Sequence, residues 1–445
     1  MTTKIAMVSL GCSKNLVDSE IMLGLLDQNS YEITQDSKDA DFIIINTCGF
    51  IESAKEESID MILEMAELKR SGTLKGLIAA GCLSERYHEE LMREIPELDS
   101  VIGTGDYEKI VEVIKKIQRT GEKVTSFGNI NADFNEDLPR FVSTASHTAY
   151  IKIAEGCDNH CTYCIIPKLR GKYRSRKIES IVAEAETLVK KGVKELILIA
   201  QDTTMYGMDL YGKRMLSNLL RELDEIKGLR WIRVMYAYPE NIDDQLIGTI
   251  KKSKHVLHYL DIPIQHTEDS ILKKMARRTD KENIFNLFEK LRSEIPDIII
   301  RSTMIAGFPG ETEKDHLGML ESIKKLKIDK LGVFDYSKEE GTPAAKMADQ
   351  IDSETKGYRQ FSAMEAQRPI SESKMSSHVG SIVEAIVEDK TEEGYSGRTW
   401  MDAPEIDGMI YISADKEIEL GSIIKVKVES ASEFDLMGVL SDESA

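Results

Sequence analysis

The six cysteines of the chain fall into two sets of three, and their placement is the first indication of chemistry. The first set is Cys12, Cys48 and Cys82, and the second is Cys157, Cys161 and Cys164. In a reducing compartment such residues are metal ligands, catalytic thiols or inert core residues. Two complete sets with no cysteine left over favour ligands.

The second set lies on one short loop with the spacing C-x3-C-x2-C. Three thiolates on such a loop can hold three irons of a [4Fe–4S] cube, which leaves the fourth iron free to bind something other than protein. A structural zinc site normally has a fourth Cys or His, for which His160 is the nearby candidate, and a ferredoxin would need a fourth cysteine. The spacing therefore predicts an iron–sulfur site open to a ligand, with zinc as the less favoured alternative.

Each cysteine of the first set directly follows a predicted β-strand. The predicted strands are Ile5–Leu10, Phe42–Asn46 and Leu77–Ala80, separated by predicted helices at Leu16–Asp27 and Ser53–Arg70. Alternating strands and helices predict a parallel α/β sheet, and ligand sites of such sheets lie at the carboxyl ends of the strands. We therefore expect the three thiols to converge on one edge, although inert buried cysteines remain possible.

The elements that must position the second set follow a polar linker, predicted at 126–140. Six predicted strands alternate with helices over about 230 residues, which indicates a partial (β/α) barrel. The predicted strands are Ala149–Ala154, Glu195–Ala200, Trp231–Tyr236, His258–Ile262, Asp297–Ile305 and Lys330–Tyr336, and the helices are Ile178–Lys191, Met215–Ile226, Ile242–Lys252, Lys281–Ser293 and Glu311–Leu326.

Short strand-like runs separated by Gly, Asp and Pro begin near Met375 and predict a small antiparallel β-barrel of the OB-like kind. They are Val379–Val387, Tyr395–Trp400, Gly408–Ile412, Ser422–Val428 and Leu436–Leu440. The predicted fold is thus α/β with three domains: 1–125, a parallel sheet; 141–373, the partial barrel; and 375–443, the small barrel.

The cluster loop after the first strand of a partial barrel resembles the radical-SAM superfamily. That resemblance implies that an open iron binds S-adenosylmethionine (SAM), whose reductive cleavage gives a 5′-deoxyadenosyl radical. By the same resemblance Tyr163 lies by the adenine, Gln201 and Asp202 lie where the SAM amino group binds, and Gly307 and Glu311 border SAM. The family's usual Gly-Gly-Glu is absent at Ala200–Asp202, and an ordinary helix start explains Glu311 equally well.

A basic run, Arg170 to Arg176, follows the cluster loop. Such a run is usually a solvated surface. Because the neighbouring site must bind anions, a functional role for at least one of its arginines is an equal alternative.

The whole chain resembles the methylthiotransferases, which combine an N-terminal three-cysteine domain, a radical-SAM core and a C-terminal TRAM domain. The resemblance implies two [4Fe–4S] clusters and two SAM molecules, with Cys12, Cys48 and Cys82 holding the sulfur-carrying cluster. Several segments are similar to the RimO type, which modifies the β-carbon of an aspartate in ribosomal protein twelve of the small subunit. They include Gln201–Gly207, Tyr259–His266, Phe334–Pro343 and Asp402–Gly408. The alternative branch modifies adenosine in tRNA.

Charge favours the protein substrate. The chain has a net charge of −19, and from Met375 onward 16 acidic residues face 5 basic ones, a net of −11. A barrel that gripped RNA phosphates should be basic, whereas an acidic one suits a basic ribosomal protein, unless the acidity serves only solubility. We therefore expect no nucleic acid as the main substrate.

The remaining expectations concern the location of the enzyme in the cell and its electron donor. No apolar run is long enough to span a membrane and the first residues lack signal-peptide features, so we expect a cytoplasmic enzyme with no membrane partner. The resemblance implies an electron donor such as flavodoxin or ferredoxin. A non-catalytic iron–sulfur redox or sensing module is the alternative from another functional class.

Overall fold

The computed structural model describes residues 2–133, 135–136 and 138–441. Parts of three predicted regions lie outside the described residues: Met1 of the first domain, Phe134 and Asp137 of the linker, and residues 442–443 of the last domain.

The N-terminal domain is a parallel sheet covered by helices on both faces, as predicted. Its strands run in the order β2-β1-β3-β4-β5-β6. They are β1 (Lys4–Ser9), β2 (Glu32–Thr34), β3 (Phe42–Thr47), β4 (Gly76–Gly81), β5 (Ser100–Ile102) and β6 (Val124–Ser126), with helices α1 (Ser13–Gln28), α2 (Glu52–Arg70), α3 (Cys82–Glu94) and α4 (Ile110–Thr120).

The central strands of this sheet explain its class. Every residue of β3 and β4 is buried, which is the pattern of a parallel strand covered on both faces. The strand order reverses between β1 and β3, and the crevice at such a switch point is where open α/β sheets bind ligands. Cys12 follows β1 and Cys48 follows β3, so the first cysteine set lies at this crevice.

The central domain is an open sheet of parallel strands in the order β14-β13-β12-β11-β10-β7, which confirms the predicted partial barrel. The predicted first strand divides into β7 (Thr148–Lys152) and β8 (Ala154–Glu155), and β8 pairs with β9 (Arg174–Ser175). The others are β10 (Glu195–Ile199), β11 (Trp231–Val234), β12 (Val256–Asp261), β13 (Ile299–Ala306) and β14 (Lys330–Asp335).

Helices of the central domain pack against this sheet or lie in the segments that join its strands. They are α5 (Ile166–Arg170), α6 (Ile178–Lys190), α7 (Met208–Tyr211), α8 (Leu216–Asp224), α9 (Asp244–Lys252), α10 (Asp269–Lys274), α11 (Lys281–Glu294), α12 (Glu313–Leu326) and α13 (Ser353–Ser376). Helix α13 was not predicted. Its buried positions are Arg359, Ala363, Gln367, Ser371 and Met375, so it has no apolar stripe from which periodicity could identify it.

The C-terminal strands close into the expected small barrel, in the order β15-β16-β17-β19-β18. They are β15 (Ile382–Thr391), β16 (Gly394–Thr399), β17 (Ile410–Ser413), β18 (Ile423–Ala431) and β19 (Leu436–Leu440). The pairing of β17 with β19 is parallel and the other four pairings are antiparallel. None of the helices in the described ranges is long and apolar enough to cross a membrane.

Buried ion pairs attach this barrel to the amino ends of the central strands. Glu195 of β10 accepts hydrogen bonds from Arg233 at 2.8 Å and from Arg398 of β16 at 2.7 Å. Lys330 of β14 lies 2.6 Å from Asp402. Tyr259 donates a 2.7 Å hydrogen bond to Asp407. The barrel therefore closes one end of the central sheet.

Candidate active site

The first three cysteines meet where three adjacent strands end. Cys12 precedes α1, Cys48 follows β3 and Cys82 begins α3. Gly11 has φ 84°, and a Cβ there would lie 2.7 Å from the Cβ of Cys48, so only glycine lets the end of β1 approach so closely. The expected convergence on one edge of the sheet is therefore present.

Asn15 organises this edge, a role that its position in the sequence did not reveal. Its Nδ2 donates to the carbonyl of Leu10 at 3.0 Å and to that of Thr47 at 2.9 Å, which ties the ends of β1 and β3 together. Its Oδ1 lies 3.7 Å from Cys82 Sγ and accepts a hydrogen bond from Arg170. One buried side chain thus contacts both the first cysteine set and the central domain.

The chemistry of these thiols fits a metal cluster. Burial, and to a lesser degree the neighbouring Cys82 and Cys12, raise the pKa of Cys48 to about 12. Burial likewise raises the pKa of Cys82, while the Arg170 guanidinium opposes this. Cys12 is exposed, whereas Cys48 and Cys82 are buried. Because a ligand must be a thiolate, the two buried thiols need positive charge beside them, which cluster iron and Arg170 can provide.

The second set lies on the loop between β8 and β9. The β8–β9 pair closes the base of this loop, where Cys157 N also donates to Gly171 O at 3.1 Å. Cys157 and Cys161 are buried, and Cys164 is half-buried. Burial raises the pKa of Cys157 to about 12, and the neighbouring Asp202 and Cys161 add to the shift. The loop therefore brings its three thiols together.

His160, the candidate fourth zinc ligand, is exposed on this loop. Across the residues that the structure describes, no three His, Cys, Asp or Glu side chains are grouped so as to hold a single metal ion.

Tyr163 projects from the cluster loop into an apolar group. The group comprises Ile271, Met275, Phe308, Tyr336 and Ala344, with Ile305 and Met347 at its margin. The Tyr163 hydroxyl is buried and has no hydrogen-bond partner among the described residues. An apolar surface with an unmatched polar group is what an adenine ring could occupy.

Gln201 has an unused hydrogen-bond acceptor, whereas Asp202 already accepts hydrogen bonds from neighbouring side chains. Gln201 donates its Nε2 to Glu155 at 2.7 Å, whereas its Oε1 is buried and has no partner within the described ranges. Asp202 accepts from Thr204 and, at 2.9 Å, from Asn159 of the cluster loop. Gln201 therefore has a free acceptor, and Asp202 holds the loop in place.

Gly307 and Glu311 form the turn after β13. Gly307 has φ 72°, and a Cβ there would lie 2.3 Å from the Lys356 side chain. Glu311 accepts from the backbone N–H groups of Gly307 at 2.8 Å and Phe308 at 3.2 Å, and its other oxygen accepts from Arg359 at 3.1 Å. The Glu311 side chain thus stabilises the turn by accepting hydrogen bonds from backbone N–H groups of the turn.

Arg277 is a further candidate that the sequence did not single out. Its guanidinium lies 4.1 Å from the ring centroid of Tyr238, whose hydroxyl is 3.8 Å from Cys161 Sγ. The side chain is 1% exposed, and its nearest carboxylate, on Glu240, is 3.8 Å away. Its Nε and Nη1 have no hydrogen-bond partner in the described part of the chain. A buried cation with unused donors beside the cluster loop is suited to a carboxylate.

Two arginines of the basic run, Arg170 and Arg176, are buried, whereas Lys172 is exposed. Arg170 is buried and contacts Asp18 and Glu155, each at 2.9 Å. Lys152 contacts the same two carboxylates. Asp18 belongs to α1 and Glu155 to β8, so these ion pairs join the two cysteine-bearing domains. Arg176 instead pairs with Glu184 at 2.6 Å, away from the cysteines.

Comparisons with known proteins match all three parts of this architecture. Residues 4–103 match the uncharacterized protein family UPF0004, residues 151–323 the radical SAM superfamily, and residues 379–440 the TRAM domain. Among solved structures, the radical S-adenosylmethionine methyltransferase TsrM from Kitasatospora setae shares the fold. It has a TM-score of 0.57 and 15% identity, with 77% of each chain covered.

Curated relatives are similar along nearly the whole chain. The ribosomal protein uS12 methylthiotransferase RimO of Clostridioides difficile is 52% identical, with 98% of each chain covered. That of Lachnoclostridium phytofermentans is 53% identical, with 98% of this chain and 99% of the relative covered. With two independent cysteine sites on this architecture and identity at this level, the chain belongs to the RimO family of radical-SAM methylthiotransferases.

Proposed function

We propose that this chain adds a methylthio group to the β-carbon of an aspartate in ribosomal protein uS12. As a member of its family it is a radical-SAM enzyme whose cofactors are SAM and [4Fe–4S] clusters. The observation that carries the proposal is the buried contact of Asn15 with both Cys82 and Arg170, because it joins the first cysteine site to the helix that follows Cys164. Carbon–sulfur bond formation needs both sites near one substrate atom.

We assign one cluster to Cys12, Cys48 and Cys82 and the other to Cys157, Cys161 and Cys164. The second cluster, when bound, supplies the electron that cleaves SAM to a radical, and the first carries the sulfur. The side chains of the protein hold the two cysteine sites in position. Asn15 and the β8–β9 pair hold the two cysteine loops, and the Asp18, Lys152, Glu155 and Arg170 network fixes one domain against the other.

Three side chains at the second site are suited to direct contact with SAM. Gln201 Oε1 can accept from the amino group and Arg277 can donate to the carboxylate, because both have unused polar atoms there. Tyr163 offers the apolar surface for adenine. Gly307 and Glu311 define the turn that borders it, and Asp202 supports the cluster loop through Asn159. Direct contact of Asp202 and Glu311 with SAM stays a prediction.

The acidic TRAM barrel is the proposed docking surface for the basic ribosomal protein. Two acids of the barrel already have partners inside the protein. Asp402 pairs with Lys330, and Asp407 contacts Tyr259 and Arg301. The acids left for a partner are exposed ones, including Asp389, Glu392 and Glu393 around the β15–β16 turn. Complementary charge there would steer association with uS12.

The proposed setting follows from the chemistry. Cluster thiols must stay reduced, so we place the enzyme in the cytoplasm with a low-potential donor such as flavodoxin or ferredoxin. The domain bounds 1–125, 141–373 and 375–443, with a linker at 126–140, remain part of the proposal.

Iron content tests the cluster assignment. We expect about eight irons per chain and about four after Cys157, Cys161 and Cys164 are replaced together by alanine. A triple variant that kept all its iron would refute the ligand assignment.

Substrate choice is tested in a deletion strain by mass spectrometry of uS12 and of tRNA. We expect uS12 to lose its methylthio group while the tRNA adenosine keeps its own. The reverse pattern would move the function to the tRNA branch. Failure of the reduced, reconstituted protein to form 5′-deoxyadenosine would favour a non-catalytic redox module.

A further inference from the structure

Lys14 is a buried cation beside the first cysteine site with no acidic partner. Lys14 is 6% exposed. Its ammonium group makes no ion pair or hydrogen bond within residues 2–133, 135–136 and 138–441. It lies in the first turn of α1, where the helix dipole disfavours positive charge. Burying an unpaired ammonium is costly, so its placement requires a reason.

The nearest acids cannot supply that reason. Asp18, one helical turn along α1, is held by Lys152 and by Arg170 at 2.9 Å. Glu155 is held by the same two cations. Two carboxylates therefore already balance two cations, and Lys14 remains an additional positive charge.

The Lys14 ammonium rests instead on an aromatic ring of the central domain. Its Nζ is 3.0 Å from the ring centroid of Tyr236. Tyr236 has φ 59°, a left-handed conformation that is unusual for an aromatic residue and is often retained at functional sites. Hydrogen bonds hold it there, because its N–H donates to Asp261 at 3.1 Å and its carbonyl accepts from Thr203.

This lysine–tyrosine pair joins two segments that lead to the two cysteine sites. Lys14 follows Cys12 by two residues. Tyr236 precedes Tyr238 by two residues, and the Tyr238 hydroxyl is 3.8 Å from Cys161 Sγ. The target carbon must occupy the same region, because one site activates it and the other supplies sulfur.

We propose that the Lys14 ammonium binds the side-chain carboxylate of the target aspartate and thereby selects an acidic residue. This inference rests on the proposed function. The Tyr236 ring keeps the ammonium in place before substrate arrives, through a cation–π contact that leaves its N–H donors available. The carboxylate then supplies the missing counter-charge, and its β-carbon is held between the two sites.

A double-mutant cycle on binding tests the proposal without turnover. The reconstituted enzyme and its Lys14→Gln variant are each titrated with uS12 and with uS12 in which the modified aspartate is replaced by asparagine. We expect the wild type to bind the aspartate form about 10-fold or more tightly, as for a partly buried charge pair. Lys14→Gln should bind both forms alike, and Lys14→Arg should restore part of the preference.

Two control measurements separate the possible outcomes. Iron content and SAM affinity of Lys14→Gln should match the wild type, and a selective loss of SAM affinity would overturn the proposal by assigning Lys14 to SAM. A variant that keeps the full preference for aspartate would also overturn it. If the wild type itself neither binds nor modifies uS12, the proposed function fails instead, which is a different result.

Discussion

At the scale of single residues, side chains from segments far apart in the chain hold the first cysteine site. Gly11 lets the end of β1 approach Cys48, and Asn15 joins Cys82 to Arg170. At the second site, Gln201 has a buried acceptor without a partner among the described residues.

The close approach of Gly11 to Cys48 makes a sharp test at this scale. We expect Gly11→Ala to reduce the iron content from about eight to about four atoms per chain, because the added methyl group must displace Cys48. Gly72→Ala is the matched control. Gly72 also has positive φ, at 78°, but a Cβ there meets nothing within 4 Å.

Both variants carry a backbone cost of about 1–2 kcal/mol for placing alanine in a left-handed conformation. Equal iron loss in both would attribute the effect to backbone strain and would argue against the contact with Cys48.

The free acceptor of Gln201 predicts a defect in SAM binding. Gln201→Leu should raise the Kd for SAM about 10-fold to 100-fold, because it removes a buried acceptor for a charged amino group. Gln367→Leu is the control, since Gln367 is buried, also has an unpartnered Oε1 in the described structure, and lies on α13, outside the cluster loop. Unchanged SAM affinity in Gln201→Leu would remove Gln201 from the site.

The residue chemistry could be predicted from the sequence where spacing encodes it. The C-x3-C-x2-C loop and the strand-end positions of Cys12, Cys48 and Cys82 were sufficient to predict two sites. Asn15, Lys14 and Arg277 could not be predicted, because their roles arise from contacts between segments far apart in the chain. The sequence showed Arg170 only as part of a basic run, which could be either solvated or functional.

At the scale of elements, the hydrophobic pattern of the sequence predicted the positions of the strands. The six central strands and the five strands of the small barrel lie where alternating or continuous apolar runs placed them. Helix α13 was missed because Arg359, Gln367 and Ser371 occupy its buried face. The parallel β17–β19 pairing was missed because strand pairing depends on barrel closure, which no single segment encodes.

The attachment of β16 to β10 predicts a pH dependence of stability. Arg398 and Arg233 lower the pKa of Glu195 to about 2 despite its burial. A depressed pKa contributes stability above the ordinary value of 4.5 and loses it as pH falls from there through about 2. The contribution is about 3 kcal/mol in the free energy of unfolding.

Denaturant midpoints of the wild type and Glu195→Gln, measured at pH 7 and pH 3, check this expectation. The variant should be less stable at pH 7 and should lose less stability than the wild type between the two pH values. Glu64→Gln, at an exposed position on α2, is the control. Parallel losses in wild type and Glu195→Gln would show that this ion pair does not set the pH dependence.

At the scale of the whole molecule, charge is distributed by domain. The net charge of −19 lies mostly in the last domain. Some of its acidic side chains already pair with other residues of the protein, so a partner can bind only the acidic side chains that remain exposed. This division predicts that association with uS12 depends on ionic strength through the barrel surface.

The triple variant Asp389→Asn, Glu392→Gln and Glu393→Gln should associate with uS12 several-fold more slowly at low salt. Stopped-flow measurement over a range of salt concentrations checks this, with the difference expected to vanish at high salt. The triple variant Glu56→Gln, Glu57→Gln and Glu64→Gln removes the same charge from exposed positions on α2 and serves as control. Equal slowing by both would indicate an effect of net charge alone.

The most direct test of the central claim is anaerobic turnover of the reconstituted enzyme with SAM, sulfide, a low-potential reductant and purified uS12. We predict formation of 5′-deoxyadenosine and a gain of one CH₂S unit at a single aspartate of uS12, located by mass spectrometry. Unmodified uS12 beside a methylthiolated tRNA adenosine in a parallel reaction would contradict the account.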